Sequence, residues 1–133
     1  MSSGKRKGDS YHHGDLRRAL LDGALALLQD EGVGALSLRE VARRAGVTHA
    51  APYRHFESKE ELIAAVAEEG FHTLRDEMRD AMAAHEGDPR RRLEACGVAY
   101  VLFAVGHPAH FGVMWSSARG ELQAYPGLAR ASE

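Results

Sequence analysis

One cysteine, Cys96, stands in the 133 residues. No disulfide can staple the chain, and no cysteine cluster can hold zinc. No apolar run approaches the roughly 18 residues a membrane-spanning helix needs, and the opening residues, MSSGKRKGDSYHH, lack the apolar core of a signal peptide. Nowhere do apolar and polar residues alternate as in a half-buried strand, and no repeat or low-complexity segment occurs. The patterns of common catalysts are missing too: no Ser/His/Asp grouping, no P-loop, no dinucleotide glycine pattern. His107 and His110 lie three apart, and His12 and His13 are adjacent, but neither pair has the acidic or thiolate partners that complete a metal set. These absences lead us to expect a cytoplasmic protein that is not an enzyme and holds neither metal nor cofactor.

What is present is ordinary for a globular protein, with 44% hydrophobic and 27% charged residues. A chain of this length can bury roughly 68% of its unfolded surface, so it can build a core without covalent staples. The charge is unevenly placed. Residues 1–56 hold 9 Lys and Arg against 6 Asp and Glu, a net of +3, whereas residues 57–133 hold 8 against 13, a net of −5. That asymmetry predicts a basic working surface in the first part and a different task in the second.

Residues 1–13 read as a mobile basic tail in which Lys5, Arg6 and Lys7 could reach a DNA minor groove. From Asp15, a candidate cap, the residues Leu16, Leu20, Ala24, Leu27 and Leu28 form one apolar stripe of a helix that Gly32 should stop. Gly23, in the middle of that helix, is tolerable if a neighbouring backbone packs against it. Ser37-Leu38-Arg39-Glu40 is a capping box opening a short helix, with Leu38, Val41, Ala42 and Ala45 inward and Gly46 as its stop. Thr48 should cap a second short helix running to about Phe56, and the pair then has the form of a helix-turn-helix. Pro52 is expected to cost that helix no more than its first hydrogen bond. Ser58-Lys59-Glu60-Glu61 is another capping box, for a helix reaching about Ala84 with Leu62, Ile63, Val66, Phe71, Leu74, Met78 and Met82 on its apolar side. Gly87-Asp88-Pro89 signals the next helix, roughly 89–106, which is apolar nearly all round in its second half and so is expected to be central and buried. His107-Pro108 should break it before a short helix over 109–118, and Tyr125-Pro126-Gly127 marks a last turn. The expected fold class is all-α.

A helix laid in the major groove offers the side chains of its first turn to base edges, while neighbouring donors grip phosphates. Thr48 and His49 can hydrogen-bond bases, and the methyl groups of Ala50 and Ala51 suit thymine. Tyr53, Arg54, His55 and Lys59 are potential phosphate donors, Lys59 at a helix start that itself favours anions. Arg39 can reach bases or backbone.

The run LSLREVARRAGVTHAAPYRHFESKEEL resembles the DNA-binding domain of the TetR family of bacterial repressors. The likeness rests on the capped helix 37–45, on Ala45-Gly46-Val47, and on Tyr53-Arg54-His55-Phe56 followed by Ser58-Lys59-Glu60-Glu61-Leu62. The resemblance implies a three-helix DNA-binding domain over 14–74, with the helix-turn-helix at 37–56. It also implies a helical ligand-binding and dimerisation domain over 75–133, expected to be incomplete because a helix is only starting at Ser132-Glu133. By the same resemblance Ser37, Arg39, Thr48, His49, Ala50, Ala51, Tyr53, His55 and Lys59 occupy DNA-facing positions, and Pro52 stands where a branched aliphatic residue is usual. Residues 98–115, with His107-Pro108-Ala109-His110-Phe111 and Met114-Trp115, look like one subgroup of the family's second domains. Tyr100, Phe103, His107, Phe111, Met114 and Trp115 are the candidates for lining a ligand pocket, because aromatic and thioether surface with a few polar handles suits small-molecule sites. The expected function is a ligand-responsive repressor that binds a palindromic operator on double-stranded DNA as a homodimer, without membrane attachment. The alternative is a helical ligand-binding or adaptor protein that keeps the scaffold without sequence-specific DNA binding.

Overall fold

The computed structural model describes residues 13–116 together with Gly127, Arg130, Ala131 and Glu133. Lys5, Arg6, Lys7, Tyr125 and Pro126 lie outside the described residues. Among the described residues the fold is all-helical, with no strand. Helix α1 spans His13–Glu31, α2 Leu38–Ala45, α3 Lys59–Ala83, α4 Pro89–Gly106 and α5 Pro108–Met114, and short 3₁₀ turns occupy Val33–Ala35 and Ala51–Arg54.

The apolar stripe of α1 is buried as its spacing requires: Leu16, Leu20, Ala24, Leu27 and Leu28 all enter the core, joined by Leu21. Asp15 lies within the first turn of α1 rather than at its cap, because the helix starts two residues earlier. At the other end the Gly32 N–H donates to the Leu28 carbonyl at 3.0 Å, and φ of +81° at Gly32 turns the chain out of the helix. Gly23 has the neighbour its position calls for. A Cβ there would lie 3.3 Å from the Val41 carbonyl oxygen and 3.6 Å from the Ala45 Cβ, so its bareness lets α1 and α2 approach closely.

Helix α3 is a continuous rod of 25 residues, and the boundary expected near residue 74 falls inside it. Leu62, Ile63, Val66, Phe71 and Leu74 are buried along one side, while Met78 is partly buried against the same core. Asp88 accepts the Arg91 N–H at 3.1 Å and Pro89 takes the first helical position of α4, where a missing N–H costs nothing. At His107 the axis bends by 107° between α4 and α5.

Helix α4 departs from its expected role. Only Ala99 and Phe103 are buried within it, and Leu93, Val98, Val101, Leu102 and Val105 stand exposed. An all-round apolar pattern reports that something should cover each face; it does not report whether these residues of the chain supply the cover. One face of α4 packs on α3, and the other forms an exposed apolar ridge over three turns.

Leu27 is fully buried and Leu102 is 64% exposed. Leu27→Ala should therefore cost about 2–5 kcal/mol of unfolding free energy, whereas Leu102→Ala should change it by less than about 0.5 kcal/mol. Urea melts followed by far-UV circular dichroism check both, and an equal loss from the two would mean that the ridge on α4 is covered in solution.

Candidate nucleic-acid interface

Helix α2 is held at both ends. Ser37 Oγ accepts the Glu40 N–H at 3.1 Å. At the far end Gly46 sits in the left-handed region (φ +70°), the Val47 N–H reaches back to the Ala42 carbonyl at 3.0 Å and the Gly46 N–H to that of Arg43 at 3.2 Å. These two bonds are the glycine-terminated cap that satisfies otherwise unpaired carbonyls. Ser58 Oγ likewise accepts the Glu61 N–H at 3.2 Å and starts α3.

Neither capping box closes in the reciprocal way expected. The Glu40 carboxylate is held by Arg43 one turn on, at 2.9 and 3.0 Å, because a charged donor is the stronger partner. Glu61 accepts the N–H of Glu57 at 2.6 Å, one residue before the cap.

The largest correction concerns residues 48–56. The expected α-helix capped by Thr48 is instead an exposed turn at His49 and Ala50 followed by the 3₁₀ turn Ala51–Arg54, with no side-chain cap. An α-helix starting at Thr48 needs an N–H at residue 52 to bond the Thr48 carbonyl, and proline has none. The Thr48 carbonyl takes the Ala51 N–H at 3.1 Å instead, and the Ala50 carbonyl takes that of Tyr53 at 3.3 Å, both three residues apart. The chain regains a helical spacing only at Phe56, whose N–H donates to the Pro52 carbonyl at 2.9 Å. Pro52 thus sets the conformation of the whole segment.

This geometry sorts the nine residues expected to face DNA. Thr48, His49, Ala50 and Arg39 are exposed, and so is Tyr53, at 63%. His55, Ser37 and Lys59 are half-buried, Lys59 as the first residue of α3, where free backbone N–H groups favour an anion. Ala51 is the exception. It is 7% exposed and belongs to the core, because the tighter 3₁₀ turn rotates its methyl inward beside the buried Pro52, so that methyl is not presented to a thymine. Arg54, on the same turn, is exposed.

Sequence reasoning missed one cation. Arg17 of α1 lies over the Phe56 ring, 5.0 Å from guanidinium carbon to ring centroid, which brings an exposed positive charge beside the end of the reading segment. No spacing rule could reveal it, since residues 17 and 56 meet only through the fold. Arg44 is already engaged. Its guanidinium donates to Asp30 at 2.6 Å, and that hydrogen bond raises its pKa above the ordinary value.

The six pocket candidates form a packed cluster of rings and one thioether. Phe103 and Met114 are fully buried, Phe103 stacks on His107 at 4.7 Å, Tyr100 meets Phe111 edge-on at 5.8 Å, and Phe111 tilts toward Trp115 at 6.4 Å. Two depressions lie along α4, one of about 530 Å³ that also has Ala81 of α3 and His85 in its wall and one of about 460 Å³ on the exposed face, with Val98 and Leu102 in both, and none of the six lines either.

The family description "Bacterial regulatory proteins, tetR family" matches residues 20–66, the segment that carries both capped helices and the turn between them. That match covers 47 of the 133 residues. The chain is similar to the HTH-type transcriptional regulator BetI of Rhizobium meliloti (strain 1021), at 40% identity over 59% of this chain and 38% of that one. It is also similar to the HTH-type transcriptional activator FasR of Mycolicibacterium smegmatis, at 34% identity over 77% of this chain and 46% of that one. Among solved structures, a protein of unknown function from Rhodococcus sp. RHA1 superposes with a TM-score of 0.77 at 40% identity, covering 92% of this chain and 62% of that one. A TetR family transcription regulator from Marinobacter aquaeolei VT8, at 24% identity and a TM-score of 0.69 over 88% of this chain and 63% of that one, shares the fold. The chain spans less than half the length of these two curated relatives.

If Tyr53 and Lys59 grip phosphates, Tyr53→Phe and Lys59→Ala should weaken binding about equally on all DNA sequences, and Lys59→Ala should lower the salt slope by about 1. Fluorescence anisotropy on several duplexes at graded salt tests this; a loss confined to one base position contradicts the role.

Proposed function

We propose that the chain acts as a ligand-responsive, sequence-specific repressor that binds a palindromic operator as a homodimer in the bacterial cytoplasm. The observation that carries this reading is the exposure of Thr48, His49, Ala50 and Tyr53 on the short turn that leads into Lys59 at the start of α3, within the segment that the tetR-family description matches. Thr48, His49 and Ala50 read base edges, while Ser37, Arg39, Tyr53, His55 and Lys59 hold the backbone in register.

Two copies would place their heads one helical turn of DNA or more apart, so operator symmetry mirrors protein symmetry. The uncovered apolar ridge of α4 supports an assembly larger than these residues alone. A small-molecule effector acts by favouring a geometry in which both heads no longer fit, since a ligand with equal affinity for both states shifts nothing. The aromatic residues Tyr100, His107, Phe111 and Trp115 remain the candidates for its contacts, whereas the full burial of Phe103 and Met114 favours packing as their role.

The adaptor reading has one observation in its favour, the replacement of a regular recognition helix by a 3₁₀ turn at Pro52. Selection of sites from random DNA, followed by anisotropy titration of the best site over a range of salt, separates the two. An enriched palindrome with cooperative, salt-sensitive binding supports the regulator, and His49→Ala should then relax preference at particular base pairs by about 1–3 kcal/mol. No enrichment from a folded dimer moves the adaptor reading ahead, and a uniform loss from His49→Ala across all sequences removes its reading role.

A further inference from the structure

Three helices meet at one carboxylate. Glu69 of α3 receives two arms of Arg18 from α1, Nη1 to Oε1 at 2.7 Å and Nη2 to Oε2 at 3.2 Å. The same Oε2 lies 3.7 Å from Nε2 of His110 on α5, too far for a hydrogen bond. That nitrogen is buried and has no hydrogen-bond partner, in a side chain only 14% exposed. Bare Gly70, next to Glu69, makes this closeness possible: a Cβ there would come within 2.5 Å of Met114 Sδ and 3.2 Å of His110 Cβ. Helix α5 thus rests on the backbone of α3, with a largely buried titratable ring between them and aimed at a carboxylate that α1 already holds.

We propose that His110 is a proton-operated latch between the DNA-reading head and the regulatory half, with the proton itself as the ligand. Neutral, the imidazole fits its seat and α5 stays on α3. Protonated, it carries a charge for which the local counter-charge is already engaged. The charged groups that act on it are Glu69 on α3, which attracts, with Arg18 on α1 and His107 at the junction of α4 and α5, which both repel. Burial outweighs the pull of Glu69, so the pKa of His110 lies below the ordinary imidazole value. A base with a lowered pKa stabilises its seat fully above the ordinary value of about 6.5, and that contribution is lost as pH falls below it through the lowered one. Acidification therefore lifts α5 from α3, and because α1 packs on both α2 and α5, it loosens the head from the regulatory half. The consequence for DNA binding rests on the regulator reading above; the latch does not.

Trp115, the only tryptophan, follows α5 and meets Phe71 of α3 edge-on at 5.8 Å, so its emission reports whether α5 is seated. In the full chain, titrated from about pH 8 to about pH 5, the emission should shift with a midpoint below about 6.5. His110→Gln should abolish that shift. Arg18→Met should raise the midpoint, because the freed Glu69 carboxylate then favours the charged imidazole, a displacement that a merely structural contact would not produce. Proton NMR titration of the imidazole signal missing from His110→Gln gives the pKa of the ring directly, and if that variant fails to fold at pH 8, the Arg18→Met displacement decides the matter on its own. An unshifted emission in the wild-type chain down to acid unfolding, the same shift in His110→Gln, or a midpoint unmoved by Arg18→Met overturns the latch. None of these readouts uses DNA, so failure to select an operator would sink the regulator reading alone.

Discussion

A single rod joins the two ends of this molecule. Helix α3 begins at Lys59, just after the turn that holds Pro52, and runs unbroken to Ala83. Gly70, where α5 comes to rest, lies eleven residues further along, about 16 Å at the usual helical rise. Between them Leu62, Ile63, Val66 and Ala67 are buried against the rest of the core, so the rod cannot bend locally without opening packed surface. A tilt of α3 at Gly70 is therefore also a movement of Lys59 at its start. The head itself is secured to the rod through α1, by the Leu20 and Leu27 side chains in the core and by Arg18 on Glu69.

The reading segment is shaped by what one residue lacks. With no N–H at position 52, the Thr48 carbonyl is served from Ala51, and the segment tightens into i to i−3 bonds. The tighter turn rises about 2 Å per residue rather than 1.5 Å, and it buries Ala51 and Pro52 side by side while leaving His49, Ala50 and Tyr53 outward. Proline also narrows the conformations open to the unfolded segment, so less entropy is lost when this surface is ordered. A stiff, short reading edge follows, held by Phe56 in the core with Arg17 across its ring.

Periodicity carried most of the fold. The bounds of α2, α3 and α4 follow from Ser37, Gly46, Ser58, Asp88 and His107, residues whose capping or breaking chemistry is local and therefore readable in order along the chain. The close approach at Gly23 was legible for the same reason. Three features were not. Whether Glu40 returns to its cap or pairs with Arg43 is a competition between partners of similar reach. The exposed ridge of α4 depends on what else is present to cover it. The Arg17–Phe56 contact and the Glu69 junction join residues 39 and more positions apart, and no local rule reports such distances. In the candidate interface, the outward positions of Thr48, His49, Ala50 and Tyr53 were legible from the helix-turn-helix pattern. The inward turn of Ala51 was not, because it follows from how the rest of the segment responds to Pro52.

The junction at Glu69 differs in kind from the rest of the core. Coupling between two parts of a fold needs an element with two arrangements of nearly equal free energy, and well-packed interiors favour a single arrangement. Most of this core offers no such choice: Leu20, Leu27, Leu62 and Val66 are fully enclosed by apolar neighbours. At α5 the balance differs. The helix has seven residues, too few to be stable by its own hydrogen bonds, and it is held by Val113 and Met114 in the core, by rings at its rim, and by the close contact at Gly70. Beneath it lies an imidazole nitrogen without a hydrogen bond, a standing cost of burial that is removed if the helix lifts and water enters. A short helix whose apolar anchors pull one way and whose sealed polar atom pulls the other is poised between two positions, and α1 touches it directly.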